Sequence, residues 1–167
     1  VHGVNVVEQW KPFYNSGTAR YSSGAFFTAS QELEKAMELV PRGDTENGEP
    51  RTFEECLVAT NLSLSYEGLG DEAARASDHP MAISYYQRAQ ETLAGCGSGG
   101  GGGDSQQEQD QQSSADEAEE RQEQKEQEQQ AEQEEQESGT GGEDEEPNGG
   151  EDPTEDPSAD PSDSPTS

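Results

Sequence analysis

The residues of this 167-residue chain whose types could do chemistry are few: two cysteines, two histidines, a pair of like-placed asparagines and some acid pairs. Cys56 and Cys96 offer either a disulfide or two thiols. His2 and His79 would need further donors at ligand spacing to hold a metal, and none stands near them, so no metal centre is expected. The run GSGGGGGD (97–104) lacks the Lys-Ser/Thr that completes a phosphate loop and leads into acid, so it reads as a linker rather than a nucleotide site. No nucleophile elbow occurs, and pairs such as Glu54/Glu55 read as solvated charges at a helix start, where they suit the helix dipole. Asn61-Leu62-Ser63 matches a glycosylation sequon, yet Asn61 is expected to pack inside a helical hairpin. The expectation is therefore no catalytic residue, no cofactor and no enzyme.

Charge narrows the partners. With 38 Asp+Glu against 9 Lys+Arg, the net charge is −29, which argues against a nucleic-acid backbone as partner. Residues 1–103 carry 14 acids and 7 bases, and residues 104–167 carry 24 acids and 2 bases. No stretch of about 18 apolar residues is present, and no signal-peptide core is visible. Because the chain begins at Val1, an upstream segment is expected to have been removed or omitted.

The elements that must position these residues follow from spacing. Residues 1–12 form a lead-in, 13–95 a patterned helical domain, 96–103 a glycine-rich linker and 104–167 a low-complexity acidic tail. Tyr21, Phe26, Ala29, Leu33, Ala36 and Met37 recur at three- and four-residue intervals, interrupted at Gly24 and ended by Val40-Pro41, which predicts helix, tight turn, helix. A second set runs from Cys56 through Leu62 and Tyr66 to Gly68-Leu69-Gly70, then resumes from Met81 to Leu93 after a polar loop. Asn15 aligns with Asn61, Gly24 with Gly70, Ala29 with Ala82 and Ala36 with Ala89, placing extra residues in two turn-rich loops, 42–51 and 71–80. The reading is an all-α chain of two hairpin units, 13–41 and 53–95.

Those units resemble the tetratricopeptide repeat. In 13–41, Phe13 stands where an aromatic opens the first helix, Gly17 at the close helix contact, Gly24 and Phe26 at the turn, Ala29 and Ala36 in the second helix, and Pro41 at its end. The second unit keeps Asn61-Leu62, Tyr66, Gly70, Ala82, Tyr86 and Ala89 but lacks the closing proline. WKPFYNSG, CLVATNLSLSYEGLGD and the closing Cys96 are similar to actinobacterial membrane-associated repeat proteins found beside MoxR-type ATPases and von Willebrand A-domain proteins. The resemblance implies a short α-solenoid acting as a scaffold or adaptor whose partner is another protein, and its narrower form implies a von Willebrand A-domain membrane protein in that place. It also implies a concave groove lined by Lys11, Tyr14, Asn15, Thr18 and Tyr21 of the first unit and Leu57, Thr60, Asn61, Leu64 and Glu67 of the second. Asn15 and Asn61 either bond a ligand backbone or satisfy neighbouring helices.

Cys56 and Cys96 lie at the two ends of one antiparallel hairpin, which favours a disulfide. The alternative is a buried Cys56 with a free thiol at Cys96. A disulfide implies an oxidising compartment, hence an extracytoplasmic protein held at a membrane by the segment missing before Val1; the alternative is cytoplasmic. Trp10 is expected to cover the end of the first unit, and Pro12 to interrupt a helix begun by the capping-box pattern at Asn5 to Glu8. Beyond about residue 95 no aromatic, Ile or Val remains to build a core. The tail is accordingly expected to be disordered, with 113–137 at most a transient single helix that cannot pack. If the tail is the functional element, the chain is instead a structural or surface-spacer protein.

Overall fold

A computed structural model describes residues 8–100 and 104–139, all of whose regular structure is helical. Helix α1 spans Lys11–Ser22 and α2 spans Phe26–Leu39. Pro12 falls in the first turn of α1, where its missing N–H leaves nothing unsatisfied, so it starts the helix rather than breaking one. The rest of the Asn5 to Glu8 pattern lies outside the described residues apart from Glu8. Gly24, at φ +78°, makes the tight turn between α1 and α2. Val40 is already extended ahead of Pro41, which ends α2.

Helix α3 spans Phe53–Arg75 and α4 spans His79–Leu93. Thr52 caps α3 by accepting from Glu55 N–H at 3.0 Å, and its own hydroxyl donates to Pro41 O at 2.7 Å, joining the two hairpins. The expected turn at Gly68-Leu69-Gly70 is not one: α3 runs on through both glycines, and the turn comes at Ala76 to Asp78, where Asp78 caps α4. These glycines admit neighbouring rings instead. A Cβ on Gly68 would stand 2.5 Å from the Phe26 ring, and one on Gly70 2.5 Å from Tyr86 Cε1. Residues 71–75, expected as loop, are good helix formers and lengthen α3.

The larger correction concerns the acidic tail. Residues 106–139 form a fifth helix, α5 (Gln106–Gly139), packed against α3 and α4. It opens with a reciprocal capping box: Ser105 Oγ accepts from Glu108 N–H at 3.2 Å, and Glu108 Oε2 accepts from Ser105 N–H at 3.1 Å. The absence of large apolar residues does not prevent docking, because Ala115 and Ala118 are small enough to bring α5 onto the core and polar side chains do the rest. The expected disorder of 140–167 lies outside the described residues.

Contacts fix the directions. Gly68 meets Phe26 and Tyr66 meets Glu34, so α3 runs antiparallel to α2; Cys56 meets Cys96 and Gly70 meets Tyr86, so α4 runs antiparallel to α3. Asn61 reaches Thr18, while Thr60 meets Gln111 and Asp71 meets Lys125, which places α1, α3 and α5 parallel in one layer with α2 and α4 behind. The core has three parts. Ala29, Leu33, Leu62, Tyr66, Leu69 and Ala89 fill the centre; Trp10, Ala36, Val40 and Val58 close one end; Cys56, Ala59, Leu93 and Cys96 meet Ala115 and Ala118 beneath α5. Trp10 sits just ahead of α1 and is buried. Among the described residues no helix is long and apolar enough to cross a membrane.

Candidate interaction faces

Helix α3 is the middle of the α1–α3–α5 layer, and its outward side chains divide between two furrows. Toward α1 lie Leu57 and Asn61, both half-buried, while the half-buried Leu64 lies between the furrows, lining a cavity with Tyr21 and packing on the Ala115–Ala118 cluster beneath α5. Asn61 Nδ2 donates to Thr18 Oγ1 at 2.9 Å, so the second asparagine satisfies a neighbouring helix. Asn15 is exposed; Tyr14 packs edge-on against Trp10 with centroids 5.6 Å apart, and Tyr21 packs against Phe26 at 5.7 Å. Lys11 is exposed and pairs with Glu8 at 2.6 Å. The furrow ends in a cavity of about 430 Å³ among Tyr21, Phe26, Leu64 and Arg121.

Helix α5 engages both Thr60 and Glu67, although Glu67 also lines that end cavity. Thr60 Oγ1 donates to Cys56 O at 2.9 Å and accepts from Gln111 Nε2 at 2.7 Å. Glu67, only 5% exposed, accepts from both Arg121 Nε and Nη2, at 2.7 and 2.8 Å, and from Lys125 Nζ at 2.7 Å. Burial alone would raise its pKa, but the bonds from Arg121, Lys125 and Gln122 outweigh that and hold it at about 2. Lys125 also reaches Asp71 at 2.8 and 2.9 Å and stands 5.9 Å from the centre of the Tyr86 ring, whose hydroxyl donates to Asp71 at 2.7 Å. Burial depresses the Lys125 pKa, yet the two carboxylates lift it above its ordinary value. The buried tyrosine is likewise pushed up, by desolvation and then by Asp71.

Gln122 lies between the two cations on the buried face of α5. Its Nε2 donates to Ser63 Oγ at 2.8 Å and to Glu67 Oε2 at 3.2 Å, while its fully buried Oε1 has no partner. An orphaned acceptor of this kind costs about 1–3 kcal/mol. Farther along, Gln129 Oε1 and Gln136 Nε2 bracket the ring of His79 at 2.8 and 3.1 Å. His79, expected in a loop, is the buried first residue of α4.

Glu55, expected as a solvated charge, is buried and accepts from Arg51 Nε at 2.8 Å. Arg51 also donates to the carbonyls of Thr92 and Ala94, at 2.8 and 2.9 Å, closing the end of α4 against the start of α3. A hollow of about 740 Å³ lies beneath the 42–51 loop. Its arginines are committed to protein oxygens, Arg42 to Met37 O at 2.8 Å, so it presents no waiting cation. Cys56 and Cys96 are bonded, with Cα atoms 5.3 Å apart, directly under Ala115 and Ala118. Set against protein-family models, curated proteins and solved structures, the chain matches none of them.

Proposed function

We propose that this chain is a non-catalytic interaction module that holds a protein segment along the furrow between α1 and α3. The observation that carries the reading is the row of Tyr14, Thr18 and Tyr21 on one parallel helix meeting Leu57, Asn61 and Leu64 on the next, half-exposed aromatic and aliphatic groups with an amide and a hydroxyl between them and the exposed Asn15 alongside. Such a mixture suits an extended peptide or helix, which needs apolar anchors and a few polar groups for register. The tetratricopeptide resemblance supports the same face and suggests a von Willebrand A-domain membrane protein as the partner. A disulfide is at home in an oxidising compartment, which supports an extracytoplasmic site of action.

The test is selection of peptides from a random library on the whole protein, followed by affinity measurement with Asn15→Ala and Leu57→Ala. Peptides that bind the unaltered chain and weaken about tenfold in both variants support the furrow, since each lost contact is worth about 1.4 kcal/mol at that ratio. Peptides indifferent to both substitutions, with helicity unchanged, overturn it. The spacer reading has less support, because α5 commits residues 106–139 to the folded body.

A further inference from the structure

We propose that the face of α3 and α4 beneath α5 is a binding site for a cationic helix from a partner protein, and that α5 occupies it as a replaceable internal ligand. The site is built for two positive charges one helical turn apart. Glu67 offers both carboxylate oxygens to a guanidinium, and Glu67 with Asp71 holds an ammonium beside the Tyr86 ring. This is bidentate recognition of arginine next to a carboxylate and aromatic cage for lysine. Both carboxylates belong to the well-packed helix α3, so the cage is carried by the body and not by its occupant.

The charges of the occupant match the cage, and its other contacts are mostly polar, with Gln111 on Thr60, Glu126 on Gln87 and Gln90, and Asp116 on the Ser98 amide. Residues 104–167 contain only two bases, Arg121 and Lys125, and both are in the cage. The rest of the helix is strongly acidic and lies against a body that is itself acidic, so long-range repulsion opposes its docking. Its apolar contribution is Ala115 and Ala118, with long glutamines supplying most other contacts at the expense of their rotamer freedom. At the centre of the interface Gln122 leaves its buried oxygen unpartnered. A helix presenting Ala-x-x-Ala-x-x-Arg-x-x-x-Lys, with an aliphatic residue in place of Gln122 and without the acids, keeps the cage and the alanine contacts and removes the orphaned oxygen and the repulsion, giving up only the polar bonds of Gln122, Asp116 and Glu126. The −29 charge of the chain would draw such a cationic segment toward it.

The site borders the α1–α3 furrow, whose end cavity is lined by Glu67, Asp71 and Arg121, and the test keeps the two apart through Asn15, which lies on α1. The probe is a synthetic peptide of residues 113–131 with each Asp and Glu replaced by Gln and the position of Gln122 by Leu, added to the whole chain. The control peptide also carries Gln in place of Arg121 and Lys125. Docking of α5 is followed through the methyl resonances of Ala115 and Ala118. The cationic peptide is expected to move these to their undocked values with an apparent affinity at least about tenfold better than the control. An Arg121→Gln/Lys125→Gln chain, whose internal ligand is weakened, is expected to bind the probe about tenfold more tightly, and Glu67→Gln to lose that gain. Asn15→Ala should behave as the unaltered chain. Equal action of both peptides, or failure of the cationic peptide to release α5 in the unaltered chain, overturns the proposal.

Discussion

Glu67 illustrates how a charge comes to be buried in an acidic molecule. Removing a carboxylate from water is costly, and the cost is met here by a guanidinium, an ammonium and an amide that all donate to it. Its folded pKa, about 2, lies below the unfolded value of about 4.3. The stability it contributes is therefore complete above the unfolded value and is lost as pH falls through about 2. In an NMR titration the docked methyl signals of Ala115 and Ala118 should persist near pH 4 and give way only toward pH 2. Release near pH 4, along with ordinary carboxylates, would show that the clasp does not hold α5. In the sequence Glu67 is one acid among many on a helical pattern. What distinguishes it, two cations arriving from more than fifty residues away, has no local signature.

At the scale of elements, α3 is packed on nearly every side, and its glycines are the clearest sign. Gly70 faces the Tyr86 ring, which is buried and anchored through Asp71, so an added methyl has nowhere to displace it. Overpacking of this kind costs about 1–3 kcal/mol, against a gain of up to about 1 kcal/mol in helix propensity. Gly70→Ala should therefore lower the urea midpoint, and Gly68→Ala should do so less, because the Phe26 ring it meets is only half-buried and can shift. Equal effects would contradict this account. The first hairpin was legible in the sequence because Gly24 and Pro41 bracket an apolar period. The end of α3 was misread because glycines usually punctuate, and here they mark close approach. The docking of α5, read as at most a transient single helix over 113–137, was missed for a different reason. Its body-facing stripe, Gln111, Ala115, Ala118, Gln122, Lys125 and Gln129, has spacings of four and three, but its members are small or polar, so a search for apolar periodicity passes over it. The capping box at Ser105 and Glu108 was the signal that could have found its start.

For the whole molecule, the bond between Cys56 and Cys96 is both a staple and a floor for α5. Closing a loop with a sequence separation of 40 should stabilise the chain by about 4 kcal/mol in the chain-entropy view. That is a large part of the roughly 5–15 kcal/mol typical of a domain. Reduction, or Cys96→Ser, should lower the urea midpoint and release the Ala115 and Ala118 methyls in the same transition, since those alanines rest on the bonded cysteines. A midpoint indifferent to reduction would sink both roles. The covalent layout has a mechanical side as well. Tension applied from beyond α5 enters the body at Cys96, crosses the sulfur bridge to Cys56 and continues toward α2 and α1, bypassing everything in between. Most of α3 and all of α4 thus hang as a slack loop outside the line of force. The carboxylates that grip α5 lie in that loop, so once α5 has peeled away under load they remain in place to receive it again.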